Sequence, residues 1–219
     1  MQKSICRAPE AILFDCDGTL LLTAGLHFDA ISRAVERQGA QMPRDWYMSQ
    51  TGLGRSDLFG RFANDFALSL DLQRLAADSI ALTVAMAGQA LENPAVAGLA
   101  RTLAGRLPIA VVTNSEAAVA EALLNATGLR AVFNVVLTVN DVVHPKPAPD
   151  LYCLAAGRLA VAPDRCLVLE DSAQGIDAAK SAGAMWLDVR DPNWLDLFQE
   201  HFGSTDVALL MSGQHRALR

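Results

Sequence analysis

The sequence predicts an α/β fold: a parallel β-sheet with helices on both faces, and an all-helical segment inserted after the first strand. Five short apolar runs have the continuity of strands that are buried on both faces. From residue 95 onward these runs alternate with helix-like patterns, and such alternation produces right-handed βαβ units and a parallel sheet. Residues 21–90 show helical spacing without any strand pattern. An inserted helical domain explains why the alternation of strands and helices is interrupted there.

The bounds of the individual strands and helices are predicted from apolar runs and from residues that favour helix starts. The predicted strands cover residues 11–14, 109–112, 135–137, 167–169 and 184–187. Ser115 and Ser172 are predicted to cap the helices that follow the second and fourth strands, and Pro149 suits the first turn of the helix between them.

Three helix-like stretches fill the insertion. They cover residues 26–38, 57–68 and 71–91, and the chain rejoins the sheet near Asn93 and Pro94. We therefore predict a core formed by residues 1–20 and 91–219 and a helical domain formed by residues 21–90.

The composition argues against several functional classes, among them nucleic-acid-binding and membrane-associated proteins. About half of the residues are hydrophobic, 52%, which is enough for a substantial core, and the net charge of −6 argues against nucleic acid or an anionic membrane as partner. Residues 1–10 lack a signal peptide's apolar region, and charged or amide residues interrupt every apolar run. The four cysteines, Cys6, Cys16, Cys153 and Cys166, show no metal-site spacing. We expect a monomeric cytoplasmic protein.

Polar side chains follow four of the predicted strands, and the carboxyl ends of parallel strands meet at one edge of a sheet. These side chains are Asp15 and Asp17 after the first strand, Thr113, Asn114 and Ser115 after the second, Lys146 after the third, and Glu170 and Asp171 after the fourth. Crowded acids are costly unless they share a cation, and oxygen ligands favour Mg²⁺ over zinc. We predict a Mg²⁺ site formed by Asp15, Asp17, Glu170 and Asp171.

This set of residues suits phosphoryl transfer, which needs an in-line nucleophile, a metal and donors around the phosphate oxygens. Carboxylates act as nucleophiles through aspartyl-phosphates. Asp15 emerges directly from a buried strand and is the candidate nucleophile. Asp17 is the candidate acid and base for the leaving oxygen and the attacking water, and Gly18 lets the backbone turn after the pair.

The segments DCDGTL, the strand ending in TNS, KPAPD and LVLEDSAQGI resemble, in order and spacing, the four motifs of the haloacid dehalogenase-like superfamily. The resemblance is closest to the subgroup with a small helical cap, which contains β-phosphoglucomutase-like proteins and sugar-phosphate phosphatases. It implies a Rossmann-like core and a cap that opens and closes to admit substrate and exclude water.

The resemblance also implies roles for matching positions. Asp15 would be the nucleophile and a Mg²⁺ ligand, and Asp17 the acid/base, with its backbone carbonyl also on the metal. Thr113 with the Asn114 amide would hold the transferring phosphoryl group, and Lys146 would neutralise the nucleophile and the phosphate. Asp171, with Glu170 nearby, would complete the metal site.

Two residues of the helical segment have competing interpretations. His27 lies twelve positions after Asp15 and resembles a histidine that sugar-phosphate mutases place beside the substrate; a partly buried structural histidine is the alternative. Arg55 ends the stretch TGLGR, which resembles a substrate-specificity loop facing a second anionic or a hydroxyl-rich group. The alternative for Arg55 is an exposed surface residue.

The residues present also separate the possible activities. Dehalogenating members replace the second acid, which is Asp17 here. Phosphonate-cleaving members need a cap lysine, and no lysine lies between Lys3 and Lys146, an absence that also disfavours a phosphosugar mutase. We therefore predict a Mg²⁺-dependent phosphatase that hydrolyses a small phosphomonoester, with sugar phosphates as candidates, through an aspartyl-phosphate. A β-phosphoglucomutase-like mutase and a non-catalytic phosphometabolite-binding module are the alternatives.

Overall fold

A computed structural model describes residues 8–50 and 52–202. Lys3, Cys6 and Thr51, the first residue of the TGLGR stretch, lie outside these ranges. Within them, no helix is long and apolar enough to cross a membrane.

A parallel sheet of five strands forms the centre of the protein, in the order β3-β2-β1-β4-β5. The strands are β1 (Ala11–Phe14), β2 (Ile109–Val112), β3 (Val135–Leu137), β4 (Cys166–Glu170) and β5 (Met185–Asp188). Leu13 of β1 lies opposite Ala110 of β2 on one side and Val168 of β4 on the other. The predicted parallel sheet is confirmed, and the predicted strand ends agree within one residue.

Both faces of the sheet are covered by helices, as predicted. Helices α5 (Pro94–Leu103), α6 (Ala117–Ala126) and α9 (Trp194–Phe202) contribute to the apolar cluster that contains Ile12 and Phe14 of β1. Helices α7 (Asp150–Arg158) and α8 (Ala173–Ser181) contribute to the cluster that contains Ala11 and Leu13. Alternate residues of β1 thus face opposite layers, which explains why the whole strand is apolar.

In the described residues between β1 and α5, four helices bury an apolar cluster of their own, built around Ile31, Phe59, Phe62 and Leu75. They are α1 (Ala24–Glu36), α2 (Arg44–Met48), α3 (Arg55–Asp65) and α4 (Leu72–Ala85). The α4 helix ends at Ala85 instead of continuing to residue 91, and a short turn over Ala87–Gln89 follows it. Helix α2 was not anticipated because it has no buried residue to give it a periodic apolar face.

The two chain segments that connect the helical segment to the sheet are hydrogen-bonded to each other. Leu22 N–H donates to the Leu91 carbonyl over 2.8 Å, and Asn93 N–H donates to the Leu20 carbonyl over 2.8 Å. These contacts lie at the proposed domain boundary, which stays a prediction.

The structure confirms one of the two predicted serine caps and contradicts the other. Ser172 accepts a hydrogen bond from Gly175 N–H over 3.0 Å, so its role as cap of α8 is confirmed. The prediction that Ser115 caps α6 is wrong: Glu116 holds the cap position, and Asn140 Oδ1 accepts the hydrogen bond from Ala117 N–H. The Ser115 hydroxyl is directed elsewhere, because it donates to Asp17.

Replacing Leu13 by alanine is expected to lower the free energy of unfolding by about 2–5 kcal/mol, because this fully buried side chain fills a close-packed layer. Leu22→Ala is the control, since 52% of that side chain's surface is exposed, and it is expected to cost less than about 1 kcal/mol. Urea denaturation measures both changes. Equal losses would contradict the assignment of Leu13 to the core.

Candidate active site

A cavity of about 410 Å³ lies between the carboxyl ends of the strands and helices α1, α2 and α3. The strand order reverses beside β1, and the crevice at such a reversal is where open parallel sheets bind ligands. The cavity brings together all of the sequence-predicted site residues, which are Asp15, Asp17, His27, Arg55, Thr113, Asn114, Lys146, Glu170 and Asp171.

Lys146 occupies the floor of the cavity. Its Nζ donates to Asp15 Oδ1 over 2.8 Å, to Glu170 Oε1 over 2.7 Å and to the Val112 carbonyl over 2.8 Å, which uses all three ammonium protons. Burial opposes the charge, but the attraction of Asp15 and other neighbouring groups outweighs it and raises the pKa of Lys146. The lysine is therefore a permanent cation beside Asp15.

Asn114 positions this lysine. Its side-chain amide donates to the Lys146 carbonyl and accepts from Lys146 N–H, each over 3.0 Å. The side chain that was predicted to contact phosphate thus holds the backbone of the Lys146 loop. A phosphate-binding role for Asn114 stays a prediction.

Glu170 is almost fully buried and is surrounded by donors. Its Oε1 accepts from Lys146 and, over 3.1 Å, from the Tyr152 hydroxyl. Its Oε2 accepts from Asp171 N–H, Ser172 N–H and the Ser172 hydroxyl, over 2.9 to 3.0 Å. Burial favours the protonated form, but Lys146 and these hydrogen bonds outweigh it and lower the pKa of Glu170. Glu170 is a charged counterpart of Lys146, and its predicted metal contact stays a prediction.

Three acids form a group that fits a divalent cation. Asp15, Glu170 and Asp171 each offer a carboxylate oxygen within 4.8 Å of the others. Burial, followed by repulsion from Glu170, raises the pKa of Asp15 well above its usual range and that of Asp171 to about 6. A bound Mg²⁺ would relieve the repulsion between these crowded carboxylates. The Asp17 carboxylate is not part of this group.

Asp17 is held from two directions. From the helical segment, the Thr23 hydroxyl donates to its Oδ1 and His27 Nε2 contacts the same oxygen, both over 2.7 Å. From the loop after β2, the Ser115 hydroxyl donates to Oδ2 over 2.6 Å, and the Thr113 hydroxyl lies 3.4 Å from it. Burial disfavours the charge, but His27 and these hydrogen bonds outweigh it, so the pKa of Asp17 lies below its usual value.

Arg55 is buried at the side of the cavity formed by the helical segment. Its side chain is only 9% exposed, so the interpretation as a surface arginine is wrong. Nε donates to Glu116 Oε2 over 2.8 Å, and Nη2 lies 3.4 Å from His27 Nδ1. A chain of contacts therefore runs from Glu116 through Arg55 and His27 to Asp17. The proposed substrate contacts of His27 and Arg55 stay predictions.

Sequence reasoning missed three residues of this site, Thr23, Glu116 and Tyr152, and gave the wrong role to Ser115. Ser115 was assigned to a helix cap, and Thr23 lies in a mostly apolar stretch. Tyr152 lies two residues beyond the KPAPD motif on the buried face of α7, where spacing alone predicts packing. Glu116 carries no signal, because its partner Arg55 is 61 positions away.

Comparisons with known proteins agree with this geometry. The sequence model of a family described as haloacid dehalogenase-like hydrolase matches residues 9–183. The fructose-1-phosphate phosphatase YqaB of Escherichia coli is 35% identical over 179 residues, which cover 82% of this chain and 95% of YqaB.

Two solved structures of CbbY from Rhodobacter sphaeroides share the fold. The complex with phosphate has a TM-score of 0.74 and 31% identity, and it covers 81% of this chain and 84% of CbbY. A mutant in complex with xylulose-(1,5)bisphosphate has a TM-score of 0.73 and 30% identity, with the same coverage of both chains.

A methyl group at Gly175 is expected to disturb the site. A Cβ there would lie 1.7 Å from Glu170 Oε1, so Gly175→Ala should displace the Glu170 carboxylate and lower the free energy of unfolding by about 1–3 kcal/mol. Gly98→Ala in α5 is the matched control, because nothing lies within 4 Å of that position. It is expected to stabilise the helix by about 0.5–1 kcal/mol. Thermal and urea unfolding measure both, and a Gly175→Ala variant as stable as Gly98→Ala would contradict this packing.

Proposed function

Because the chain belongs to the haloacid dehalogenase-like hydrolase family, we propose that it is a Mg²⁺-dependent phosphatase that hydrolyses a small phosphomonoester through Asp15. The observation that carries the proposal is the contact between Lys146 and Asp15. Lys146 binds only Oδ1 of the carboxylate, which leaves Oδ2 for an attack on phosphorus at the floor of the cavity. The name of the Escherichia coli relative supports a sugar phosphate as the substrate class.

In the first step, an Asp15 oxygen attacks phosphorus, the bond from phosphorus to the alcohol oxygen breaks, and that oxygen takes a proton. Asp17 delivers this proton, and His27, with Nε2 2.7 Å from Asp17, is positioned to resupply it. In the second step, water attacks the aspartyl-phosphate, Asp17 accepts the water's proton, and inorganic phosphate leaves Asp15 as a free carboxylate. Because the pKa of Asp17 is lowered, its carboxylate is ionised before the substrate binds, so Asp17 acts as a relay that takes up a proton before it delivers one in the first step and accepts one again in the second.

Lys146 offsets charge in both steps. Its ammonium group lies 2.8 Å from the nucleophile and favours the Asp15 carboxylate, in opposition to burial and to repulsion from Glu170, which raise the pKa of Asp15. Thr113, which lines the cavity beside Asp17, is the proposed hydroxyl donor to a phosphate oxygen.

The acid group is the proposed Mg²⁺ site. Asp15, Glu170 and Asp171 would hold the ion together with the Asp17 backbone carbonyl. When bound, Mg²⁺ supplies positive charge that offsets the phosphate oxygens. The expected cytoplasmic location and monomeric state stay predictions.

Asp15→Asn is expected to lower phosphate release from a panel of phosphomonoesters by at least about a thousandfold, because the amide is not a competent nucleophile. Asp29→Asn is the matched control, since it makes the same change at an exposed position on α1. Phosphate release in the presence of Mg²⁺ measures both. An Asp15→Asn variant with full activity would refute the assignment.

The same panel separates the alternatives. A mutase would move phosphate to another position of the substrate without releasing it, which a chromatographic assay of the organic products detects. A non-catalytic binding module would be stabilised by a phosphorylated ligand and would release nothing.

Excess chelator is expected to reduce phosphate release to the background rate, and added Mg²⁺ should restore it. Asp171→Asn should raise the Mg²⁺ concentration that gives half of the maximal rate by about tenfold or more, because a carboxylate ligand is lost. Asp177→Asn, at an exposed position on α8, is the control and should leave that concentration unchanged. A rate that is indifferent to chelator would exclude the metal from the reaction.

A further inference from the structure

We propose that Glu116 determines specificity by restricting the cavity to phosphomonoesters whose non-reacting part is neutral and rich in hydroxyl groups, and by excluding a second phosphate. The inference rests on the proposed function and deepens it. Of the two groups that Arg55 was expected to face, a second anionic group and a hydroxyl-rich group, it selects the hydroxyl-rich one.

The ion pair between Arg55 and Glu116 is the starting observation. Arg55 begins α3 in the helical segment, and Glu116 precedes α6 in the sheet domain, so the pair joins the two sides of the cavity. Nε of Arg55 lies 2.8 Å from Glu116 Oε2, and the side chains are only 9% and 22% exposed. At this burial the two charges are weakly screened by solvent. The other described contacts of the guanidinium are His27 Nδ1 and the hydroxyls of Ser79 and Thr83, at 3.4 to 3.5 Å.

Among the described residues of the cavity wall, each lysine and arginine, and also His27, already has an acidic partner. Lys146 binds Asp15 and Glu170, and His27 contacts Asp17. Arg190, at the rim, binds Asp188 over 2.7 Å. Arg55 is paired with Glu116 in the same way.

A second phosphate would therefore have to lie against the Glu116 carboxylate or displace it from Arg55. That displacement would leave the Glu116 carboxylate partly buried, without its partner and beside a dianion, and both consequences oppose binding. Excluding a competitor by an uncompensated charge is a common source of specificity.

A sugar hydroxyl meets no such penalty. The ion pair offers N–H donors from Arg55 and acceptor oxygens from Glu116, and a hydroxyl both donates and accepts. The pair thus complements a polyol without breaking. The CbbY structure that holds a bisphosphate shows that a related chain admits two phosphates, so the restriction proposed here is a property of this chain's own residues.

The test compares a hexose 1-phosphate with the matching hexose 1,6-bisphosphate, using kcat/KM for phosphate release from each. The wild-type enzyme should favour the monophosphate by about tenfold or more. Glu116→Gln keeps the size and hydrogen-bonding shape but removes the charge, and it should shift the ratio of the two constants toward the bisphosphate by about tenfold or more. Glu116→Asp retains the charge and should keep the wild-type preference.

Glu121→Gln is the matched control, because it removes the same charge from the same helix at a residue paired with Arg130 and outside the cavity wall. It should leave the ratio unchanged. If Glu116→Gln does not fold, as judged by circular dichroism, Glu116→Ser removes the same charge and supplies a good helix-capping residue.

A wild-type enzyme without preference, or charge-removing variants at position 116 that keep the wild-type ratio, would overturn the inference while the phosphatase proposal stands. A shift of the same size in Glu121→Gln would also overturn it, because net charge would then be the cause. Absence of release from every phosphomonoester would instead overturn the proposed function itself.

Discussion

The ammonium group of Lys146, buried between Asp15 and Glu170, is the interaction on which the site depends. Ion pairs at this depth lose solvation and are stable only if every charge is met by good partners. Here the lysine uses all three of its protons, on two carboxylates and the Val112 carbonyl. Removing any of these partners would leave a buried N–H of the ammonium group without an acceptor, so the surrounding structure is constrained to supply them.

Much of the local architecture meets that constraint. Asn114 holds the Lys146 backbone through two hydrogen bonds, and Tyr152 and Ser172 donate to Glu170. Glycine stands at position 175 because Glu170 lies where a Cβ would be. Residues from the end of β2 and the loop after it, from α7 and from the start of α8 thus converge on one charge, because the parallel sheet brings the carboxyl ends of its strands to one edge.

The helical segment meets the same site through different residues. Thr23 and His27 bind one oxygen of Asp17, and Arg55 binds Glu116 on the sheet side. The arrangement of Asp17 therefore depends on where the helical segment lies. The proposed acid and base is thus linked to the helical segment that would enclose the substrate. The Arg55–Glu116 pair, which we propose faces the non-reacting part of the substrate, joins two separate elements.

The sequence predicted the parts of this structure that depend on local pattern. Continuous apolar runs located all five strands, and polar residues just after them identified Lys146 and the acids that the cavity brings together. Prediction from the sequence failed where the partner of a side chain lies far away along the chain. Ser115 has the character of a helix cap, yet it donates to Asp17, 98 positions away. The Arg55–Glu116 pair likewise forms only once the helical segment lies over the sheet.

If Lys146 keeps Asp15 ready to accept the phosphoryl group, Asp15 itself must carry that group during turnover. Rapid acid quenching during turnover, followed by mass spectrometry of the peptide that contains Asp15, tests this directly. We expect one added phosphoryl group on Asp15 that hydroxylamine removes, as is typical of an acyl phosphate. Turnover with no phosphoryl group on Asp15, or with the group on another residue, would contradict this role of Asp15.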